Sequence, residues 1–326
     1  MITSREMEKL HEKTARVYTI YGEILEGDCV HDNEEYLECE FGLDEEGLHI
    51  ADHIVLKSQI AAAEEWDIEA ESGRLRAAEI RERLMFSLRK SFSEHLKRWE
   101  DNEVPDKYDH NAFEYSGQPS KGEFMLALEY QRERGDGFIK LEGREPLEDS
   151  FGLEENAVLT MVIEETPACD AETPARIEIR KPLYKDLQEL ESKHYGSVYG
   201  EDFCARNTDE LYEFLDFRGA YIGDRLVGSY HWFNDREITI IDGLLIDEDY
   251  RNTGIGTALI KDAAELAARL AAEAKPSPAG RKKGKHWVLA LHADRDDRPR
   301  EMYEKMGFVA VDTLYEYLCS DIKQLG

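Results

Sequence analysis

A short loop, Arg251-Asn252-Thr253-Gly254-Ile255-Gly256, has the residue types and the spacing to bind an anion. The apolar run 238–246 before it predicts a buried strand, and the apolar stripe after it predicts a helix. The first N–H groups of a helix have no backbone acceptor and carry the positive end of the helix dipole, so a phosphate can accept from them. Glycine at positions 254 and 256 removes the Cβ atoms that would block this approach. The pattern therefore predicts a phosphate site at a helix N-terminus.

Two other phosphate-binding motifs do not fit the loop. A P-loop needs Lys and Ser or Thr after its last glycine, where Thr257 and Ala258 stand, and a dinucleotide fingerprint needs a further glycine, where Leu259 stands. The remaining pattern, R-x-x-G-x-G between a strand and a helix, resembles the pyrophosphate-binding motif of the GNAT superfamily of N-acetyltransferases. A second segment, residues 300–308 (REMYEKMGF), is similar to the late helix of that family, which ends in Y-E-K-x-G-F.

The resemblance implies acetyl-CoA as a co-substrate and assigns roles to residues of the motif. The pyrophosphate would be held by the backbone N–H groups of Asn252, Thr253, Gly254, Ile255, Gly256 and Thr257, with Arg251 as a charged flank. Backbone atoms of a splayed strand, here Leu244, Leu245 and Ile246, would pair with pantetheine and the thioester oxygen. Gly243 just before them suits a bulge. Tyr303 matches the tyrosine that protonates the departing thiolate, and Asp296 stands where the family often has an asparagine that touches the coenzyme.

Three side chains are candidates for the base that removes the amine proton. Asp242 alternates with Ile240 and Leu244, which predicts one shared face, and burial beside the thioester would raise its pKa. His231 on the preceding strand is the second candidate and Glu237 the third. Each also has an ordinary interpretation as a structural or surface polar group, and water is an alternative base.

The elements that would position these residues span 176–326, the predicted acetyltransferase domain. Strands and helices alternate there, which predicts a layered α/β domain with a mixed sheet flanked by helices. The predicted strands are 177–181, 220–222, 226–233, 238–246, 287–291 and a pair within 308–319, and the predicted helices are 182–195, 209–217, the motif helix and 297–306. Residues 166–175 are small, polar and proline-containing, which is typical of a linker.

Residues 1–165 are expected to form a separate, acidic α+β domain of unknown role. Predicted strands include 16–21, 36–41 and 158–163, with a hairpin of 124–128 and 138–141; predicted helices cover 60–66 and 75–96. A second R-x-x-G-x-G, Arg132 to Gly137, is interpreted as coincidence because an apolar β-type run follows it. No metal site is predicted, because Cys29, His31, Cys39, His49 and His53 fit no zinc spacing.

Composition narrows the class of protein. The chain has 326 residues, 41% hydrophobic, enough for two folded domains, and a net charge of −30 that disfavours nucleic acid and membrane surfaces as partners. No apolar run is long enough to span a bilayer and the start lacks a signal peptide, so a cytoplasmic location is expected. Five scattered cysteines suggest free thiols.

The sequence thus favours an N-acetyltransferase that transfers an acetyl or longer acyl group from acetyl-CoA to an amine. The acidity motivates a cationic acceptor, either a small molecule or a protein amine, and a homodimer is possible within this interpretation. Two alternatives stay open: a catalytically inactive CoA-binding or scaffold protein, and an acidic interaction protein that acts through its N-terminal domain.

Overall fold

The computed structural model describes residues 2–11, 13–21, 24–50, 53–65, 71–164, 166–167, 177–235, 238–273 and 287–325. It is a mixed α/β structure that divides into two compact units, residues 1–155 with 316–326 and residues 156–315. Most of the predicted linker, the third base candidate Glu237 and the basic loop before residue 287 lie outside the described residues.

The first unit begins with a five-stranded antiparallel sheet. Its strands are β1 (Lys13–Thr19), β2 (Ile24–Asp32), β3 (Gly47–Ile50), β4 (His53–Leu56) and β5 (Ile60–Glu65), in the order β4-β3-β2-β1-β5. The helices α1 (Ser4–Glu8) and α2 (Glu34–Phe41) belong to the same region. Apolar side chains of α1 and the sheet, among them Met7, Val17 and Leu48, form one buried cluster.

A second set of elements follows in the first unit. It comprises α3 (Glu71–Arg83), β6 (Leu88–Ser91), β7 (Leu96–Glu100), β8 (Phe113–Tyr115), α4 (Lys121–Arg134) and β9 (Ile139–Gly143). The pairs β6–β7 and β7–β8 are antiparallel, whereas β8 and β9 are parallel, so α4 is the crossover between them.

The second unit contains most of the elements predicted for residues 176–326. β10 (Glu154–Ile163), predicted as a strand of the N-terminal region, begins in the first unit and lies mostly in the second. The elements that follow are β11 (Ile177–Arg180), α5 (Tyr184–Tyr199), α6 (Glu201–Phe214), β12 (Asp216–Ile222), β13 (Arg225–Asp235), β14 (Ile238–Ile246), α7 (Ile255–Glu273), β15 (Val288–Asp294), α8 (Arg298–Lys305) and β16 (Val309–Cys319), whose last residues belong to the first unit. The strands from β11 to β14 are antiparallel, β14 and β15 are parallel, and β10 pairs antiparallel with β15. Helix α7 buries Ile255, Leu259 and Ala263 against this mixed sheet.

The two units repeat one order of elements. A helix, an antiparallel three-strand meander, a crossover helix and a parallel strand occur as α3-β6-β7-β8-α4-β9 in the first unit. The same order occurs as α6-β12-β13-β14-α7-β15 in the second. Helix α4 is therefore the counterpart of α7, the motif helix.

Two strands predicted in the N-terminal region are helices. Residues 36–41 belong to α2, because the Asn33 side chain accepts from the Tyr36 N–H at 2.9 Å and Gly42 ends the helix with a positive φ. Residues 124–128 belong to α4, which starts at a capping box of Ser120 and Glu123 and ends at Gly135. The predicted hairpin is thus wrong. The R-x-x-G-x-G of residues 132–137 lies at the C-terminus of α4, whereas an anion site of this type needs a helix N-terminus.

Two segments of the first unit that were predicted as helix contain strands. Residues 60–65 form β5, and the predicted long helix stops at Arg83, beyond which Leu88 and Leu96 lie in the strands β6 and β7. A helical spacing of apolar residues here coincided with two short strands, so periodicity misled. Residues 308–319 form one strand rather than two, and 158–163 belong to β10, which pairs with β15 in the second unit.

Two further observations bear on the composition. The four cysteines in the described part of the chain, Cys29, Cys39, Cys204 and Cys319, are free thiols, as predicted. The structure describes no helix that is both long and apolar enough to cross a membrane.

Candidate active site

The strand β14 is bulged and then leaves its parallel neighbour. Ser229 of β13 is opposite Leu245 and His231 is opposite Asp242, so β14 contains one extra residue at Gly243–Leu244. Its parallel register with β15 runs from Ile238–Val288 to Ile241–Leu291 and stops there, although both strands continue. An opening therefore forms between residues 242–246 of β14 and the end of β15, at the carboxyl ends of two parallel strands.

The bulge depends on glycine at position 243. Gly243 has a φ of +60°, a backbone conformation that other residues adopt at a cost. A Cβ atom at this position would lie 2.7 Å from Cε1 and Nδ1 of His231, so the imidazole packs directly against the glycine. The bulge that the sequence predicted at Gly243 is present.

The predicted anion loop follows β14 and ends in the first turn of α7. Asn252 and Gly254 have positive φ values of 60° and 87°. The first intrahelical bond runs from the Ala258 N–H to the Gly254 carbonyl at 3.0 Å, so the N–H groups of Ile255, Gly256 and Thr257 precede it. A Cβ atom on Gly256 would have only ordinary contacts of 3.9 Å or more, from Ile246 and Met302. The helix start is thus free of bulky side chains at Gly256 and has the donors that a phosphate needs.

A buried carboxylate holds the start of this loop. Asp247 is buried at the end of β14, where it accepts from Lys193 Nζ at 2.6 Å and from Arg225 Nη2 at 2.8 Å. It also accepts from the Asp249 N–H at 3.2 Å, which fixes the turn before Arg251. Burial opposes ionisation of Asp247, but the hydrogen bond from Lys193 and the other donors outweigh it and lower its pKa. No sequence motif pointed to this residue.

Arg251 lies beside the loop, partly exposed. Its Nη2 is 3.3 Å from His194 Nδ1 on α5 and 3.6 Å from Glu248 Oε1. The pKa of His194 is lowered, first by burial and then by the Arg251 charge, while Glu248 opposes the shift. A neutral His194 can accept a hydrogen bond and so orient the guanidinium.

Tyr303 lies on α8, which follows β15, and is 6% exposed. It packs in the cluster that contains Ile255 and Leu291, and its ring is 5.8 Å from that of Phe308. Burial, followed by the negative charges of Asp242 and Asp297, raises its pKa to about 12. The phenol thus keeps its proton at neutral pH and is a potential proton donor.

The two described base candidates lie on neighbouring strands but in different surroundings. Asp242 is exposed, so the expected burial is wrong: β15 pairs with β14 only as far as Ile241, and Asp242 lies where the two strands have separated. Its Oδ1 accepts from the Gly243 N–H at 2.7 Å. His231 is buried, with its ring 5.3 Å from Phe217 as well as against Gly243. Asp242 is therefore the candidate that solvent and ligands can reach.

The remaining predicted residues are placed as follows. Leu245 is buried, while Leu244 and Ile246 are half-buried beside the opening. Asp296 is 89% exposed at its side chain and 4.0 Å from Arg295 Nε, whereas the neighbouring Asp297 caps α8. A cofactor contact by Asp296 stays a prediction.

Sequence reasoning missed an aromatic row on the helices α5 and α6. The rings of Tyr195 and Tyr199 are 6.2 Å apart, and those of Tyr199 and Phe203 are 5.2 Å apart. Burial, then the charges of Glu191 and Asp242, raises the pKa of Tyr195 to about 12. The signal was the spacing of 195, 199 and 203 by four residues, which places them along one side of a helix, although Gly200 separates two helices here.

Comparison with known proteins agrees with this geometry. A splayed parallel pair, a glycine-containing helix start after the bulged strand and a buried tyrosine on the next helix define a GNAT-type fold. Residues 212–310 match the model of the acetyltransferase (GNAT) domain. The matched segment begins in α6 and does not include the earlier part of the chain. No curated protein matches the sequence.

Two solved structures resemble the chain over more than the matched domain. One is a conserved protein from Staphylococcus epidermidis described as functionally unknown, with a TM-score of 0.57 and 15% identity, covering 72% of this chain and 94% of that one. The other is a GCN5-related N-acetyltransferase from Kribbella flavida, with a TM-score of 0.51 and 15% identity, covering 75% and 93%. At this identity the likeness concerns the fold.

Proposed function

We propose that the protein is an N-acyltransferase that transfers the acetyl group of acetyl-CoA to an amine by direct attack on the thioester. The observation that carries the proposal is the position of the α7 N-terminus beside the opening where β14 leaves β15. One end of this arrangement suits a pyrophosphate and the other exposes strand edges to pantetheine. The predicted domain limits, 1–165 and 176–326, belong to the same proposal.

The chain's own groups have distinct parts in the proposed reaction. The N–H groups of residues 252–257 bind the pyrophosphate with Arg251, and backbone groups of residues 244–246 orient the thioester. The amine nitrogen attacks the carbonyl carbon, a C–N bond forms and the C–S bond breaks. Tyr303 donates its proton to the departing sulfur, and the proton lost by the amine passes to Asp242, directly or through water. We place Asp242 before His231 because the latter is packed against Gly243.

A pair of variants that differ only in charge tests the pyrophosphate site. Thr257 is the third residue of α7, the position that Glu123 occupies in α4. We expect Thr257→Glu to weaken acetyl-CoA binding at least tenfold relative to Thr257→Gln, since its carboxylate would compete for the same N–H groups and repel the phosphates. Both variants should stay folded, because acidic residues are favourable in a first helical turn.

Calorimetric titration with acetyl-CoA, with circular dichroism to check folding, gives the result. Equal affinity of the two variants would contradict a pyrophosphate site at α7. A folded parent protein that binds no acetyl-CoA would contradict the proposed function as a whole.

A further inference from the structure

Asp242 lies just after the paired segment of β14, where the opening to β15 begins. It is exposed, and its carboxylate accepts a hydrogen bond from the Gly243 N–H. Among the residues that the structure describes, no lysine, arginine or histidine forms an ion pair with it. Its negative charge is among the causes, after burial, that raise the pKa of both Tyr303 and Tyr195, so the carboxylate lies in the neighbourhood of both phenols.

The aromatic row of Tyr195, Tyr199 and Phe203 leads from this carboxylate to the surface. Tyr195 is half-buried, and Tyr199 is 50% exposed at the end of α5. Consecutive ring centroids are 6.2 and 5.2 Å apart, so an alkyl chain can contact all three rings. Aromatic faces also attract cations, and the attraction grows where water is excluded.

The charges around the row favour a positive ligand. The carboxylates of Glu191, which is buried, and Asp242 both act on Tyr195. Arg251 is a cation near Tyr195, and its guanidinium contacts Glu248 and His194 beside the predicted anion loop. Among the described residues, Asp242 is thus a carboxylate without an ion-pair partner in the neighbourhood of the phenol of Tyr195.

Given the proposed function, we infer that the acceptor is an aliphatic primary amine that arrives as an alkylammonium ion and carries no carboxylate next to the amine. The ammonium group binds at Asp242, and the alkyl stem lies along Tyr195, Tyr199 and Phe203. The ammonium first loses one proton to water, which frees the nitrogen lone pair for attack, and Asp242 accepts the second proton as the C–N bond forms.

Two other classes of amine fit less well for physical reasons. An aryl amine is neutral near pH 7, so it gains nothing from the Asp242 charge. An α-amino acid brings its own carboxylate, which Asp242 would repel at short range. The site thus selects by charge as well as by shape.

An unreactive cation tests the inference without turnover. We expect the full-length protein, with and without saturating CoA, to bind hexyltrimethylammonium at least tenfold more tightly than its neutral carbon isostere. Asp242→Asn should abolish this preference. Tyr199→Leu should weaken binding of the cation about threefold to tenfold.

Tyr36→Leu is the matched control for Tyr199→Leu. Tyr36 is 48% exposed and its ring is 6.2 Å from that of Phe41, almost the same exposure and ring distance as Tyr199 has with Tyr195. This variant should leave binding of the cation unchanged. No preference for the cation over the neutral isostere, or a preference that survives Asp242→Asn, would overturn the inference.

Acetylation rates test the acceptor class separately from acetyl transfer itself, on which the inference rests. With acetyl-CoA, hexylamine should be acetylated at least tenfold faster, by kcat/KM, than aniline or norleucine at equal concentration. Equal rates for the three amines would overturn the acceptor class while leaving acetyl transfer intact. No acetylation of any amine would contradict the proposed function, while the cation titration would still decide what binds at Asp242.

Discussion

Two structural features at position 243 both require glycine. Its positive φ produces the bulge that turns β14 away from β15, and its missing Cβ makes room for the His231 ring. Any other residue would meet backbone strain and a steric overlap together. The shape of the opening between β14 and β15 thus depends on this glycine and on the imidazole packed against it.

A comparison of two glycines separates the two effects. Gly223, in the turn between β12 and β13, has a φ of +62°, but a Cβ atom added there would meet nothing within 4 Å. We expect Gly223→Ala to cost about 1–2 kcal/mol of unfolding free energy from backbone strain alone. Gly243→Ala should cost more, because its Cβ would lie 2.7 Å from the His231 ring.

Urea denaturation of both variants measures the difference. The combination Gly243→Ala with His231→Ala should recover the steric part of the loss and leave the backbone part. Equal losses for the two single variants would show that the imidazole does not depend on the missing Cβ.

Tyr303 is the residue whose protonation the proposed chemistry requires. Because burial and nearby carboxylates raise its pKa to about 12, the phenol stays protonated as the pH rises from 7 to 10. Activity should therefore rise with pH as the amine loses its proton. At pH values up to 10, loss of the Tyr303 proton should not reduce it. A group with an ordinary tyrosine pKa, about 10, would begin to lose its proton within this range.

Tyr303→Phe should lower kcat roughly a hundredfold or more while leaving acetyl-CoA affinity unchanged. Steady-state kinetics from pH 7 to 10, with calorimetry for affinity, check both statements. Unchanged kcat would mean that another group or water protonates the thiolate. Retained binding with loss of turnover would also argue against a protein that only binds CoA.

At the scale of elements, the predicted anion loop, residues 251–256, is held by contacts outside itself. Asp247 joins the end of β14 to Lys193 of α5 and Arg225 of β13, and its backbone N–H donates to the Val227 carbonyl at 3.0 Å. The loop that follows has two residues with positive φ and few side-chain anchors of its own. The clamp at Asp247 therefore sets where the α7 donors point.

We expect Asp247→Asn to reduce unfolding free energy by about 1–3 kcal/mol, since two charged donors lose their buried partner. Acetyl-CoA affinity should fall at least threefold, because the loop is less well positioned. Asp249→Asn is the control: Asp249 contacts the same two cations, at 3.2 and 3.5 Å, but its side chain is 68% exposed, so its loss should cost little. Thermal unfolding and calorimetry compare them, and equal effects of the two substitutions would contradict the clamp.

The elements around the loop were largely predictable, and those of the first unit were not. β14 has the bounds that its apolar run indicated, and Gly243 and Gly254 have the positive φ values that a bulge and a helix start use. In the first unit, short strands and helices share apolar spacings, so local caps decided the outcome. Ser120 with Glu123 makes α4 a helix despite its strand-like run.

Contacts distant in sequence set the rest of the candidate site. Asp242 is exposed where the pairing of β14 with β15 has ended at Ile241, an end point that no local pattern encodes. The approach of α5 to β14, which brings Tyr195 near Asp242, depends on packing between elements almost fifty residues apart. A short motif could therefore indicate the loop that we propose to bind pyrophosphate, but no motif indicated the side from which we propose that the acceptor comes.

At the scale of the whole molecule, the repeated order of elements raises the question of a second coenzyme site. Helix α4 is the counterpart of α7, but its N-terminus is occupied by the chain itself. The Glu123 carboxylate accepts from the Ser120 N–H at 2.8 Å, and also from Ser93 Oγ at 2.7 Å and the His95 N–H at 3.0 Å. Burial opposes its ionisation, but the donors, with the Ser120 N–H foremost, lower its pKa to about 2.

The charge on Glu123 therefore persists throughout the physiological pH range and fills the position that an external anion would need. In the second unit the corresponding residue is Thr257, which has no charge, and the helix start carries glycine at position 254. The same fold element is thus self-capped in one unit and open in the other.

We expect each chain to bind one acetyl-CoA, although it contains the crossover helix twice. Calorimetry should give a stoichiometry of one for the parent protein and loss of that single site in Thr257→Glu, with no residual binding at α4. A stoichiometry of two, or one site remaining in the folded variant, would show that the first unit also binds the coenzyme. Glu123→Gln should leave the stoichiometry at one, because the amide oxygen can still accept from the Ser120 N–H in front of α4 and the R-x-x-G-x-G loop does not precede this helix. A second site in this variant would mean that the charge of Glu123 alone had kept it closed.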